Sequence, residues 1–159
     1  MHCYIGGACS GRRALIRQRH PQAHWAALAA GDALTDLLSR LPPCRTGSAL
    51  VIDGWTAWLT ALLAETADDH QARVVWQGLI DGIAGVVSST ECAGLEVVLV
   101  LDEMGRGLVP IRASDRRLRD HNGWLVQAAV RASACVWLVR HGLCLQLAPA
   151  GDHRQAVRR

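Results

Sequence analysis

The chain has no phenylalanine, a single tyrosine and no lysine, so all 17 basic residues are arginines. Without lysine, Schiff-base chemistry is excluded, and so is the ammonium that normally follows a phosphate-binding glycine loop. No pair among the six cysteines (Cys3, Cys9, Cys44, Cys92, Cys135 and Cys144) has C-x-x-C spacing. No histidine stands near a cysteine pair at zinc-finger spacing either, which argues against a structural metal site. Cysteines inside apolar runs, as in Ala134-Cys135-Val136-Trp137, read instead as small buried hydrophobes. No secretory leader is visible, since Met1-His2-Cys3-Tyr4-Ile5 runs straight into glycines. No stretch approaches the ~20 uncharged apolar residues of a membrane span. These absences predict a cytoplasmic protein with reduced thiols.

What is present suffices for a packed core. Of the 159 residues, 50% are hydrophobic and 19% charged, a balance too apolar for disorder. The length predicts one domain over residues 1–147, with 148–159 as a solvated tail. The net charge of +3 suits an anionic ligand without requiring nucleic acid.

Short continuous apolar runs alternate with helical periodicity along the chain. Residues 3–5, 49–52, 95–101 and 135–139 read as strands, and Leu143 to Leu147 as an added edge strand. Helices are expected after the first glycine cluster, over Trp55–Glu65, over Asp68–Val87 and from Ser114 to Ser133. In the third of these, Val75, Leu79, Ile83, Val86 and Val87 form the expected buried stripe. Residues 20–47 are poorly patterned, broken by Pro21, Pro42 and Pro43, with a helix near 32–41 begun by Asp32. The alternation predicts an α/β fold: a mostly parallel sheet covered by helices on both faces, binding ligands beyond the carboxyl ends of its strands.

Three strands end in chemically useful residues. The first opens Gly6-Gly7-Ala8-Cys9-Ser10-Gly11-Arg12-Arg13, whose G-x-x-x-x-G spacing allows backbone N–H groups to curl around phosphate oxygens at a helix start. An ordinary glycine-rich turn has the same spacing. The second ends at Asp53, which suits either a nucleotide or metal contact or the N-cap of the helix at Trp55. The third ends in Asp102-Glu103 and runs into Met104-Gly105-Arg106-Gly107-Leu108-Val109-Pro110 and a basic helix start, either a lid over an anionic substrate or a solvated loop. The histidines are scattered: His20 and His24 flank Pro21, His70 lies on a helix, and His121 and His141 follow regular elements.

Together these motifs resemble the bifunctional adenosylcobinamide kinase/adenosylcobinamide-phosphate guanylyltransferase family of cobalamin biosynthesis. The family loop G-G-A-x-S-G-K-S is answered by residues 6–13, and its D-C-L-T-x-W-L-T-N-L segment by Asp53-Gly54-Trp55-Thr56-Ala57-Trp58-Leu59-Thr60-Ala61-Leu62. Its N-E-V-G-x-G-I-V-P loop is answered by residues 102–110, and R-x-F-R-D-x-x-G-x-x-N-Q by residues 116–127. The closing V-x-L-V-x-x-G fits Val136 to Gly142. The resemblance implies a P-loop α/β domain, commonly trimeric. ATP or GTP phosphates would lie in Gly6, Gly7, Ala8, Cys9, Ser10, Gly11, Arg12 and Arg13, with Asp53 and Glu103 beside them. The implied reactions are phosphorylation of adenosylcobinamide and transfer of GMP through a guanylylated histidine, for which His20 and His24 are the candidates.

The departures are specific. Arg12 and Arg13 replace the loop lysine and the hydroxyl that would hold Mg²⁺. The strand and crossover that carry the family's acceptor histidine do not fit between the first helix and Trp25. Residues 26–30 lack the acid expected after the tryptophan, Val126 replaces an Asn and Ala134 an Asp. A divergent enzyme and a non-catalytic nucleotide-, corrinoid- or protein-binding homologue, alone or with a paralogue, are the two readings these departures leave.

Overall fold

Val97 to Leu101 is apolar without interruption, and the strand it forms, β4 (Glu96–Asp102), is buried on both faces between its half-buried acidic ends. The computed structural model describes residues 1–39, 49–89 and 94–147. Before β4 come β1 (His2–Gly6), α1 (Arg12–Arg19), β2 (His24–Ala27), α2 (Leu34–Ser39), β3 (Ala49–Asp53), α3 (Trp55–Glu65) and α4 (Asp69–Ser88). After it come α5 (Ala113–Arg131), β5 (Cys135–Arg140) and β6 (Leu143–Leu147). The expected tail 148–159, Pro42, Pro43, Cys44 and Cys92 lie outside the described residues.

The six strands form one sheet in the order β2-β3-β4-β1-β5-β6, with only β6 antiparallel. This is the expected α/β architecture. From β1 the chain crosses to the β2 edge; from β4 it crosses the other way, through α5 to β5. α1 and α5 pack on opposite faces of the sheet, so the connections that leave the neighbouring ends of β1 and β4 diverge to opposite faces, and a crevice opens between them at the carboxyl ends.

The two faces are covered unequally. On one, Cys3, Ile52, Leu99 and Leu101 pack under the tryptophans of α3 and α4 (Trp55, Trp58, Trp76) and under Leu125 of α5. On the other, Tyr4, Val51, Val98, Val100 and Val139 meet Ile16 of the short helix α1, the one helix on that face among the described residues. Arginine planes extend that thin cover: Arg17 lies 4.8 Å from the Trp25 ring and Arg19 lies 4.1 Å from the Trp137 ring.

Several local expectations change. β2 forms inside the segment that had no clear pattern, because His24 to Ala27 pair with Leu50 to Asp53 of β3. α2 begins at Leu34, and Asp36 rather than Asp32 closes its first turn by accepting from Ala33 N at 2.8 Å. The buried stripe of α4 is Ala72, Trp76, Leu79, Ile80 and Ile83, leaving Val75 43% exposed. His121 lies within α5 and is fully buried. Its Nδ1 accepts from Trp76 Nε1 at 3.2 Å, since an indole can only donate, so Nε2–H donates to Asp69 at 3.0 Å. That histidine joins α5 to α4.

Candidate functional site

The glycine loop leaves β1 at Gly6 and enters α1 at Gly11, as its spacing predicts. A Cβ on Gly6 would lie 2.5 Å from the Val139 carbonyl oxygen, so no side chain fits there. Gly11 has φ +91 and begins α1 without a side-chain cap. Ser10 is buried; its carbonyl accepts from Gly142 N at 2.9 Å, which sets the β5–β6 turn, with His141, against the loop. Residues 7–14, with Arg17 and Asp102, line an open cleft of about 580 Å³.

A helix start carries free N–H groups and positive partial charge, so acids normally gather in its first turn. α1 has none there and begins with Arg12-Arg13. Two aspartates from neighbouring strand ends compensate. Arg12, 8% exposed, donates through Nη2 to Asp102 Oδ1 and through Nη1 to the Leu101 carbonyl at 2.9 Å. Arg13 donates through Nε to Asp53 Oδ2 at 2.5 Å, with its side chain 59% exposed. The remaining carboxylate oxygens are also engaged: Asp53 Oδ1 by Gly54 N at 2.7 Å, and Asp102 Oδ2 by the Thr56 hydroxyl. The N-cap of α3 is Gly54, with φ +84, so Asp53 is a partner for Arg13 and not the helix cap.

These groups do not fit Mg²⁺. At a phosphate loop Mg²⁺ takes most of its oxygens from water and substrate phosphate, but it still needs one or two from the protein, a hydroxyl or a carboxylate free to face it. Position 13 has no hydroxyl, and both aspartates are neutralised by guanidinium groups. Among the described residues, no group of three or more His, Cys, Asp or Glu could hold a metal ion.

The third motif builds a neighbouring cleft of about 360 Å³ on the far side of Asp102, lined by Glu103, Met104, Gly105, Arg119, Asn122 and Gln127 among others. Glu103 N donates to the Gly6 carbonyl at 2.9 Å, and Asn122 Nδ2 donates to the Asp102 carbonyl at 2.8 Å. The Glu103 side chain pairs with Arg106 at 2.7 Å. The basic start of α5 braces this loop through its carbonyls: Arg116 binds those of Pro110 and Ile111, and Arg119 that of Gly105. Those charges are committed to the backbone, a use that charge patterning alone does not reveal.

His20 and His24 are not brought to the loop. His20 follows the carboxyl end of α1, the end opposite Gly11, and its Nδ1 lies 3.4 Å from Glu96 at the start of β4. His24 opens β2, three residues before the level of Asp53, or about 10 Å along the strand. The histidine beside the loop is His141, whose neighbour Gly142 bonds Ser10, and only the V-x-L-V-x-x-G spacing signalled it.

No helix among the described residues is long and apolar enough to cross a membrane. A relative from Pseudomonas aeruginosa, named bifunctional adenosylcobalamin biosynthesis protein CobP, is 33% identical over 140 residues, or 86% of this chain and 73% of the relative. The profile of a family described as cobinamide kinase / cobinamide phosphate guanyltransferase matches residues 12–147, and the chain belongs to that family.

Proposed function

We propose that this chain binds the phosphates of ATP or GTP at residues 7–13 and acts on a cobinamide at the kinase and guanylyltransferase stage of cobalamin biosynthesis. One observation carries this reading. Two arginines open a helix with no acid in its first turn at a cleft by the diverging ends of β1 and β4. Although each is paired with an aspartate, the Arg13 side chain stays 59% exposed in that cleft, where an anion suits both it and the helix start. The adjoining cleft at 102–127 is the place for the cobinamide alcohol or phosphate, with Asn122 and Gln127 as polar contacts. Phosphorylation is the better supported of the two reactions, because neither His20 nor His24 adjoins the loop.

A second reading is favoured by the ion pairs themselves. Phosphoryl transfer depends on electrostatic stabilisation of the moving group, and Arg12 is committed to Asp102. On that reading the chain holds a nucleotide, a corrinoid or an active paralogue without turnover. Equilibrium binding of ATP and GTP, followed by an assay of adenosylcobinamide phosphorylation, separates the two. Binding with turnover supports the first reading, binding alone supports the second, and no binding removes the nucleotide assignment. The first reading extends to a cytoplasmic homotrimer; sedimentation showing only monomer removes the trimer.

A further inference from the structure

We propose that the loop takes nucleotide phosphates without a divalent cation, with Arg13 supplying the positive charge and Asp53 serving as the positioning residue for Arg13, not as a metal ligand. The proposal rests on the nucleotide reading above and specifies how that site works. Each oxygen of Asp53 and of Asp102 already accepts a hydrogen bond, from Gly54 N, Arg13, Arg12 and Thr56 respectively. Arg12 is buried in its pair, whereas Arg13 lines the cleft, is largely exposed and, among the described residues, hydrogen-bonds through Nε alone. Its two terminal nitrogens therefore remain for phosphate oxygens while Asp53 fixes the plane of the guanidinium. Planar, two-pronged donation is what distinguishes arginine from lysine at such a site. A second observation at the loop also points to a ligand. The Ser10 hydroxyl, on a residue 6% exposed that lines the same cleft, has no hydrogen-bond partner among the described residues, which is rare for a buried polar atom.

The test is titration of the purified full chain with GTP and with ATP, in Mg²⁺ and in EDTA, for the native sequence, Arg13→Ser and Asp53→Asn. Thermal unfolding of each variant confirms the fold, which substitution at the exposed Arg13 leaves intact. The expected result is binding no tighter in Mg²⁺ than in EDTA, with Arg13→Ser weakening it about tenfold or more in both media. Asp53→Asn is expected to weaken binding in both media as well, because it frees Arg13. A gain of more than about threefold from Mg²⁺ in the native chain overturns the metal-free site and leaves the nucleotide reading standing. Tighter binding by Asp53→Asn, or an effect confined to Mg²⁺, overturns the positioning role. No binding in either medium overturns the nucleotide reading, and this proposal with it.

Discussion

Arg12 donates to both the Asp102 carboxylate and the Leu101 carbonyl, which places the first charge after the glycine loop beneath that loop and ties it to the end of β4. The sequence alone assigns Arg12 to phosphate, as the heir of a lysine. The structure also gives it a structural partner, Asp102. Arg12→Ala leaves the Asp102 charge without its guanidinium in a partly buried setting, with Thr56 as its one remaining side-chain donor. The expected cost is about 2–3 kcal/mol, below the full value for a buried pair because Asp102 keeps some contact with water. Urea unfolding measures it. A loss under about 0.5 kcal/mol, the range of ordinary surface substitutions, shows that the pair does not hold the loop to β4.

The two adjacent glycines make a paired prediction. A methyl group on Gly6 collides with the Val139 carbonyl, whereas at Gly7 a Cβ meets nothing within 4 Å. Gly6→Ala must push β1 from β5 or reshape the loop, and it is expected to cost about 3 kcal/mol or more. Gly7→Ala is expected to shift the unfolding midpoint little. Equal effects from both substitutions contradict the close packing of β1 on β5 at the loop.

Such contacts depend on strands distant in sequence, whereas most of the strands themselves are written locally. β1, β3, β4 and β5 were legible because a strand buried on both faces is a continuous apolar run. β2 was not, because His-Trp-Ala-Ala has little strand preference of its own and forms through its pairing with β3. The stripe of α4 was misplaced by one residue because Val74, Val75 and Trp76 are adjacent and apolar, and only packing against α5 selects Trp76. At the site, spacing marks the loop and the strand-end acids Asp53 and Asp102-Glu103, but the resemblance favours Glu103, whose side chain pairs with Arg106, whereas Asp102 is the acid that meets Arg12. Spacing could not show which arginine turns toward which acid, since that depends on the separation of strands distant in sequence.

Acidification supplies another check. Burial holds the His2 imidazole below its ordinary value of 6.5, while Glu96, 2.8 Å away, pulls the other way and the amino terminus and His20 add to the lowering. The unfolded chain therefore takes up this proton more readily than the folded one. Between the two pKa values unfolding binds protons, so stability rises with pH. The contribution of His2 is most favourable above pH 6.5, and it declines as pH falls through 6.5 toward the folded value. His2→Gln is expected to lessen the fall in urea midpoint between about pH 7.5 and about pH 5. Parallel profiles for the two proteins remove His2 as a source of acid sensitivity.

Thiol chemistry tests where the nucleotide sits independently of any binding constant. Cys9 is exposed in the glycine loop at φ +57, while Cys3 in β1 is fully buried and its thiol is pushed up to about 11 by burial. The thiolate is the reactive form, so Cys3 resists alkylation by both inaccessibility and protonation. Iodoacetamide is expected to modify Cys9 well before Cys3, with peptide mass mapping separating Cys9 from the remaining cysteines. If phosphates occupy residues 7–13, saturating GTP must slow reaction at Cys9, because a bound phosphate chain crowds the loop and adds negative charge that disfavours the thiolate. GTP that binds without protecting Cys9 lies elsewhere, and the charge of Arg12 and Arg13 at the start of α1 then has only its two aspartates to answer it.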